Sequence, residues 1–318
     1  MVLLEVENLS VDYQTSRGYL SALEGVTFSL DIGKSLGFVG ESGCGKTTLG
    51  MALMGLLPYN GSVREGRVLF EGEDLLQKND EEMRYIRWKK IAMIFQAAMN
   101  ALNPVHRVAD QVAEAILTHT PDLSKEEALN QVEELFQLVR IPKNRLRDYP
   151  HQYSGGMKQR AIIAMALACR PQLIIADEPT TALDVIVQDQ ILKETKNLQK
   201  KFNISMIFIS HDISVVADVC HDIGVLYAGQ LVEYGSREEV FNSPTHPYTK
   251  ALLSSFLTLM EETAQLEPIQ GETPNLLNLP SGCRFCDRCL EAADSCKSEA
   301  PIWVDISPTH KAFCNRCQ

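Results

Sequence analysis

Residues 40–48 read GESGCGKTT, a phosphate-binding pattern of the form G-x-x-x-x-G-K-[ST] carried by Gly40, Gly45, Lys46 and Thr47. It constrains the fold more than any other stretch, because it needs a buried strand before it and a helix after it. Both are legible: the apolar run SLGFVG precedes the loop and a helical pattern over 47–57 follows it. Gly40, Gly43 and Gly45 open backbone conformations closed to residues with a Cβ. The loop N–H groups can then converge on phosphate oxygens, aided by the positive end of the next helix. Lys46 is expected to reach the β- and γ-phosphates, and the Thr47 hydroxyl to ligate Mg²⁺. Ser42, Gly43, Cys44 and Thr48 complete the expected nucleotide contacts, Cys44 as a small residue where Ser would also serve.

Such a loop needs a carboxylate at the end of a neighbouring strand. QLIIADEP (172–179) supplies Asp177, placed to hold Mg²⁺ through water, and Glu178, poised to polarise an attacking water. Buried strands are predicted at 35–40, 91–96, 172–177 and 204–210, and helices at 47–57, 125–139, 156–169 and 185–201. This alternation reads as an α/β fold around a mainly parallel sheet. Further strands are predicted at 3–9 and 26–30, with a hairpin over 222–234 turning at Ala228-Gly229. From 97 to 153 the strand–helix rhythm lapses, as an inserted helical subdomain opened by the Asn103-Pro104 turn would make it. After 244 prolines punctuate a tail that ends in cysteines.

The 318 residues carry a formal net charge of −11, which argues against a broad nucleic-acid surface. MVLLEVENLS lacks the charged and long apolar regions of a signal peptide. No apolar run approaches the ~18–20 residues a bilayer demands. A cytosolic chain, or one held peripherally by a membrane partner, is the expectation.

YSGGMKQR (153–160) adds the decisive element. With GESGCGKTT and LIIADEPTTALD (173–184), it resembles the ATP-binding subunit of ABC transporters. The elements follow that family's order: phosphate loop, Gln96 after a strand, signature, Asp177-Glu178, Ala182-Leu183-Asp184, then His211. The resemblance spans about 3–243. It implies a P-loop NTPase core over 1–244, with a helical subdomain at about 97–160 and an antiparallel β subdomain. Tyr13 would stack on adenine, with Tyr19 its rival, and Gln96 would touch Mg²⁺ and line the hinge to the helical subdomain. Ser154, Gly155 and Gly156 would bind the γ-phosphate of ATP on the opposite subunit, and Asp184 would work across that seam. His211 would contact the γ-phosphate and help position water. Catalysis would thus rest on Glu178, His211, Lys46 and Gln96, and Mg²⁺ on Thr47, Gln96 and Asp177. Tyr153 and Met157 depart from the common L-S-G-G-Q signature at both ends, leaving its SGG core.

Three classes compete: an importer ATPase, a non-transport ABC ATPase of DNA repair or translation, and an exporter subunit. The absence of sustained heptads and the single set of motifs speak against the second, and the lack of fused membrane spans against the third. NSPTHPYTKALLSS (242–255) resembles the oligopeptide/dipeptide importer subfamily. That resemblance implies an ATPase pairing with a related subunit, or with itself, beneath two membrane permeases and an external binding protein, at the cytoplasmic face of the membrane. Its cargo would be peptides, with oligosaccharides or nickel as alternatives. The coupling contact to a membrane subunit would lie around 97–104. The H-P-Y-T stretch itself reads as a helix-start turn without chemistry of its own.

Six of the nine cysteines fall within the last 36 residues. Spacing alone favours zinc, since Cys283-x2-Cys286 with Cys314-x2-Cys317 forms a pair of knuckles. The subfamily resemblance reverses this, implying a [4Fe–4S] cluster on Cys283, Cys289, Cys296 and Cys314, within an extension over 245–318. Free thiols are the third alternative, and Cys286 and Cys317 are then left without a role. A metal here would act as a staple for a tail with little apolar content.

Overall fold

A computed structural model describes residues 1–96, 101–181, 183–260 and 269–317. Along the chain run β1 (Val2–Thr15), β2 (Gly18–Asp31), β3 (Ser35–Val39), α1 (Lys46–Leu53), β4 (Gly61–Phe70), β5 (Glu73–Asp74), α2 (Asp80–Ile86) and β6 (Ile91–Ile94). Then come α3 (Val108–His119), α4 (Lys125–Leu138), α5 (Gly155–Leu167), β7 (Leu173–Asp177), α6 (Val185–Phe202), β8 (Ser205–Ser210) and α7 (Ile213–Val219). The remainder holds β9 (Asp222–Tyr227), β10 (Gln230–Ser236), α8 (Arg237–Asn242), α9 (Pro247–Met260), α10 (Ser295–Ser298), β11 (Trp303–Asp305) and β12 (Lys311–Phe313). The backbone divides into two compact units: one comprises residues 1, 31–34 and 77–208, the other 2–30, 35–76 and 209–318.

In the first unit β6 pairs in parallel with β7, from Ile91↔Leu173 to Ile94↔Ala176. All five residues of β7 are buried, as expected of a parallel strand covered on both faces. The expected helical stretch contains α3, which buries Val108, Ala109, Val112, Ala113, Ala115 and Ile116, and α4, which buries Ala128, Val132 and Phe136. Ser124 starts α4 through a reciprocal capping box with Glu127. Arg160 of α5 and Glu194 of α6 form a largely buried ion pair at 2.9 Å. Residues 97–100, part of the expected coupling region, and Ala182 lie outside the described residues.

In the second unit β2, β1, β4 and β5 form a four-stranded sheet in that order. β4 escapes sequence reading because charges interrupt its alternation, yet it pairs antiparallel with β1 from Leu4↔Phe70 to Tyr13↔Gly61. β3 is wholly buried and runs parallel to β9. The hairpin turns where expected: Ala228 and Gly229 both take positive φ, 47° and 86°, as a type I′ turn requires. β12 pairs antiparallel with β10 at Glu233↔Ala312 and Tyr234↔Lys311, and β11 pairs with β12.

Candidate functional site

The phosphate loop joins β3 to α1. Gly40 has φ 154°, and a Cβ there would stand 2.1 Å from the Leu226 carbonyl oxygen, so only glycine fits. Lys46 is 6% exposed, and its ammonium donates to the Gly40 and Glu41 carbonyls at 2.8 and 2.9 Å. A buried cation is tolerated when its donors are satisfied, and here the loop's own carbonyls satisfy them. Burial pushes the Cys44 thiol up despite the neighbouring Lys46, so Cys44 is packing rather than a nucleophile. The Tyr13 and Thr48 hydroxyls lie 3.2 Å apart, setting the Tyr13 ring beside the loop, whereas Tyr19 is 67% exposed. Ser42 and Gly43 are exposed on the loop, while Gly45 caps α1 and Thr47 lies in its first turn.

In the other unit, β7 ends in Asp177, 1% exposed, and the chain turns at Glu178 with φ 48°. A non-glycine residue in that conformation is held by its surroundings, and such strain gathers at functional sites. Gln96 Nε2 donates to Glu178 Oε2 at 2.9 Å, and the Thr181 hydroxyl donates to the same oxygen at 3.1 Å. The structure thus brings Gln96 to Glu178. Ser154 caps α5 by accepting from the Met157 N–H, leaving Ser154 and Gly155 exposed at a helix N-terminus. Gly156, the next residue, is half-buried.

Tyr153 explains the altered first position of the signature. Its ring is buried and its hydroxyl donates to the Arg145 carbonyl at 2.9 Å, so a tyrosine fills an apolar site with its polar tip paired. Asp184 caps α6, its Oδ1 accepting from the Val187 N–H at 3.0 Å. The next two residues, Val185 and Ile186, are 81% and 72% exposed. In the second unit His211 follows β8 and is exposed.

The cysteines are drawn together by backbone contacts. The Cys283 N–H donates to the Cys296 carbonyl at 2.8 Å, and a Cβ on Gly282 would stand 2.2 Å from that same oxygen. Burial pushes the Cys283 thiol up to about 11, and the charges of Cys314, Cys289 and Cys296 add to the rise. The expected quartet is therefore one electrostatic neighbourhood. A hydrogen bond from Cys317 holds the Cys314 thiol below its ordinary value. None of the nine cysteines is in a disulfide. Against expectation, no group of three or more His, Cys, Asp or Glu side chains among the described residues is placed to hold a metal ion. A single zinc would need four donors each about 2.3 Å from one point. By that measure neither the quartet nor the knuckle pair forms a zinc site among the described residues.

Sequence reasoning missed what lies under the tail. Glu233 of β10 is fully buried and accepts from the Thr245 N–H, the His246 N–H and His310 Nε2, at 2.8, 2.9 and 2.7 Å. His246 is also buried, which holds it down at about 3, with the Lys250 charge adding; its Nδ1 accepts from the Tyr248 N–H at 3.0 Å. His246 and His310 lie ten and more residues beyond β10 in the sequence, so nothing local marked Glu233 as their partner.

A strained carboxylate after a buried strand, a glycine-bound lysine loop and a serine-capped signature helix define an ATP-hydrolysing cassette. Comparison with known proteins agrees: the ABC transporter family matches residues 23–181, and the oligopeptide/dipeptide transporter C-terminal region matches 232–296. The dipeptide transport ATP-binding protein DppD of Bacillus subtilis (strain 168) is 47% identical over 98% of this chain and 93% of its own length. The oligopeptide transport ATP-binding protein OppD of the same organism is 46% identical over 97% and 87%. Among solved structures, the dimeric bacterial ABC transporter cassette MJ0796 superposes with a TM-score of 0.67 at 27% identity, covering 74% of this chain and 99% of that one. The chain belongs to the ABC transporter family, as an ATP-binding subunit with the oligopeptide/dipeptide-type C-terminal region.

Proposed function

We propose that this chain hydrolyses ATP to drive import of dipeptides or oligopeptides. The observation that carries the reading is the joint presence, in one chain, of a complete set of ATPase motifs and the oligopeptide/dipeptide-type region at 232–296. It works at the cytoplasmic face of a membrane, beneath two permease subunits fed by an external binding protein. No helix among the described residues is long and apolar enough to cross a membrane itself. Two such cassettes, related or identical, pair head-to-tail; the exposed Val185 and Ile186 beside Asp184 suit that seam.

Within each cassette Lys46 and the loop N–H groups bind the β- and γ-phosphates, and Tyr13 stacks on adenine. Glu178, oriented by Gln96 and Thr181, accepts a proton from water attacking the γ-phosphate, and His211 positions that water. Ser154, Gly155 and Gly156 meet the γ-phosphate from the partner's side. Mg²⁺, held through Thr47, Gln96 and Asp177, would supply charge neutralisation. Because ATP binds the closed pair more tightly than the open one, hydrolysis removes the contacts that favour closure and resets the equilibrium. The segment 97–160 acts as the helical subdomain that passes this motion on, and 245–318 as the peptide-importer extension.

Cys283, Cys289, Cys296 and Cys314 are the proposed ligands of a [4Fe–4S] cluster, whose thiolates stand further apart than around one zinc. Support comes from their shared electrostatic neighbourhood and the close Gly282–Cys296 approach. Iron analysis and visible absorption on anaerobically purified protein test it; a colourless protein with stoichiometric zinc overturns it. For transport, the assembled complex is supplied with its binding protein and a dipeptide. ATPase stimulation is expected, and stimulation by nickel or an oligosaccharide instead would reassign the cargo.

A further inference from the structure

Arg288 lies in the cysteine-rich tail, yet its guanidinium grips the phosphate loop. Nη1 and Nη2 donate to the two Glu41 carboxylate oxygens at 2.6 and 2.9 Å, a bidentate pair across 247 residues of chain. The other donors are also engaged. Nε meets the Gln270 carbonyl at 3.0 Å, Nη2 the Ile269 carbonyl at 3.4 Å, and Nη1 the Tyr227 hydroxyl at 3.3 Å. The Arg288 side chain is 5% exposed against 27% for that of Glu41, so the pair is largely withdrawn from water.

Glu41 is held on its backbone too. Its N–H donates to the Tyr248 hydroxyl at 3.0 Å, and its carbonyl accepts from Lys46. Tyr248, the tyrosine of H-P-Y-T, is fully buried and packs with Tyr227 and Phe285 at centroid distances of 4.6 and 5.3 Å. The stretch is thus more than a helix-start turn.

The electrostatics make this arrangement purposeful. A carboxylate at the second position of a phosphate loop repels the charge the loop must bind. Paired with Arg288 it is neutralised, and its main chain is fixed so that the carbonyl can steady Lys46. We propose that Arg288 is a positioning residue for nucleotide binding: the tail reaches back to neutralise Glu41 and hold the phosphate loop in shape. The idea rests on the reading of residues 40–48 as the ATP site.

MgADP titration into the full-length chain, by calorimetry, tests it. R288A is expected to weaken binding about tenfold, the scale of one lost charge-assisted contact. E41Q in the R288A background should restore binding to within about threefold, because the unpaired carboxylate is gone. R288K, which keeps a cation but not the fork, should fall between, and serves where R288A does not fold. K46A is the reference. If K46A binds normally, the reading of the loop fails; if K46A loses binding while R288A and R288K match the parent, the role of Arg288 fails. A double variant as weak as R288A would likewise overturn it.

Discussion

Gln96 Nε2 donates to Glu178 Oε2 across 2.9 Å, joining a residue two positions past the end of β6 to the residue that follows β7. The pair aligns a carboxylate whose backbone is already in a strained, left-handed conformation at φ 48°. Orientation of this kind suits a general base, since it fixes which lone pair faces water. Glu178→Gln keeps shape and size but cannot take the proton. ATP turnover should fall about 10²–10⁴-fold with nucleotide binding retained. Near-parental turnover in that variant would remove Glu178 from the role.

Gly40→Ala tests the loop from the steric side. Its Cβ would be forced to 2.1 Å from the Leu226 carbonyl oxygen, and the φ of 154° disfavours any side chain. Either the loop or the end of β9 must shift. Loss of MgADP binding by calorimetry is expected, with stability lowered by about 2 kcal/mol or more, as for a substitution at a special backbone conformation. Retained affinity would mean the loop does not need this geometry.

The loop, the Asp177-Glu178 strand end and the Ala228-Gly229 hairpin were legible because each is written in a few consecutive residues. Their periodicity and glycine placement report local backbone geometry directly. Tyr153 could be noted as a departure, but not explained, because its partner is the Arg145 carbonyl, which no side-chain pattern marks. The Arg288–Glu41 pair and the Glu233–His310 pair join positions far apart in sequence, and nothing local signals them. The tail's strands were hidden for a related reason. Three-residue strands such as Trp303–Asp305 and Lys311–Phe313 form only because β10 offers an edge. The metal expectation came from cysteine spacing and resemblance, and spacing does not report where the sulfurs point.

His246 makes stability pH-dependent. An unfolded histidine titrates near 6.5, whereas burial holds this one at about 3 in the folded chain. Between those values the unfolded state binds a proton that the folded state refuses. The contribution is therefore complete above about pH 6.5 and is lost as pH falls toward 3, with a slope of up to about 1.4 kcal/mol per pH unit. Thermal melts between about pH 7.5 and 5 should show stability declining with acidity. In His246→Asn the side-chain oxygen can still accept the Tyr248 N–H, so this component of the slope should flatten. An unchanged slope would place the titration elsewhere.

Glu233→Ala should be the most damaging substitution outside the nucleotide site. The carboxylate takes the Thr245 and His246 N–H groups, which begin the turn into α9, and His310 Nε2, which precedes β12. One side chain therefore ties β10, the H-P-Y-T turn and the terminal strands together. Truncating it leaves two buried donors and one half-buried donor unpaired at once. Each orphaned donor costs about 1–3 kcal/mol, and breaking a buried hydrogen-bonded pair costs about 3–5 kcal/mol. Denaturant unfolding should report a loss of at least about 3 kcal/mol. Proteolysis should reach the chain after residue 244 before it reaches β1–β4, because the tail loses its anchor first. Glu233→Gln keeps two acceptor lone pairs and should lose less than half as much. Equal losses for the two variants would show that charge, rather than hydrogen bonding, holds the tail on β10.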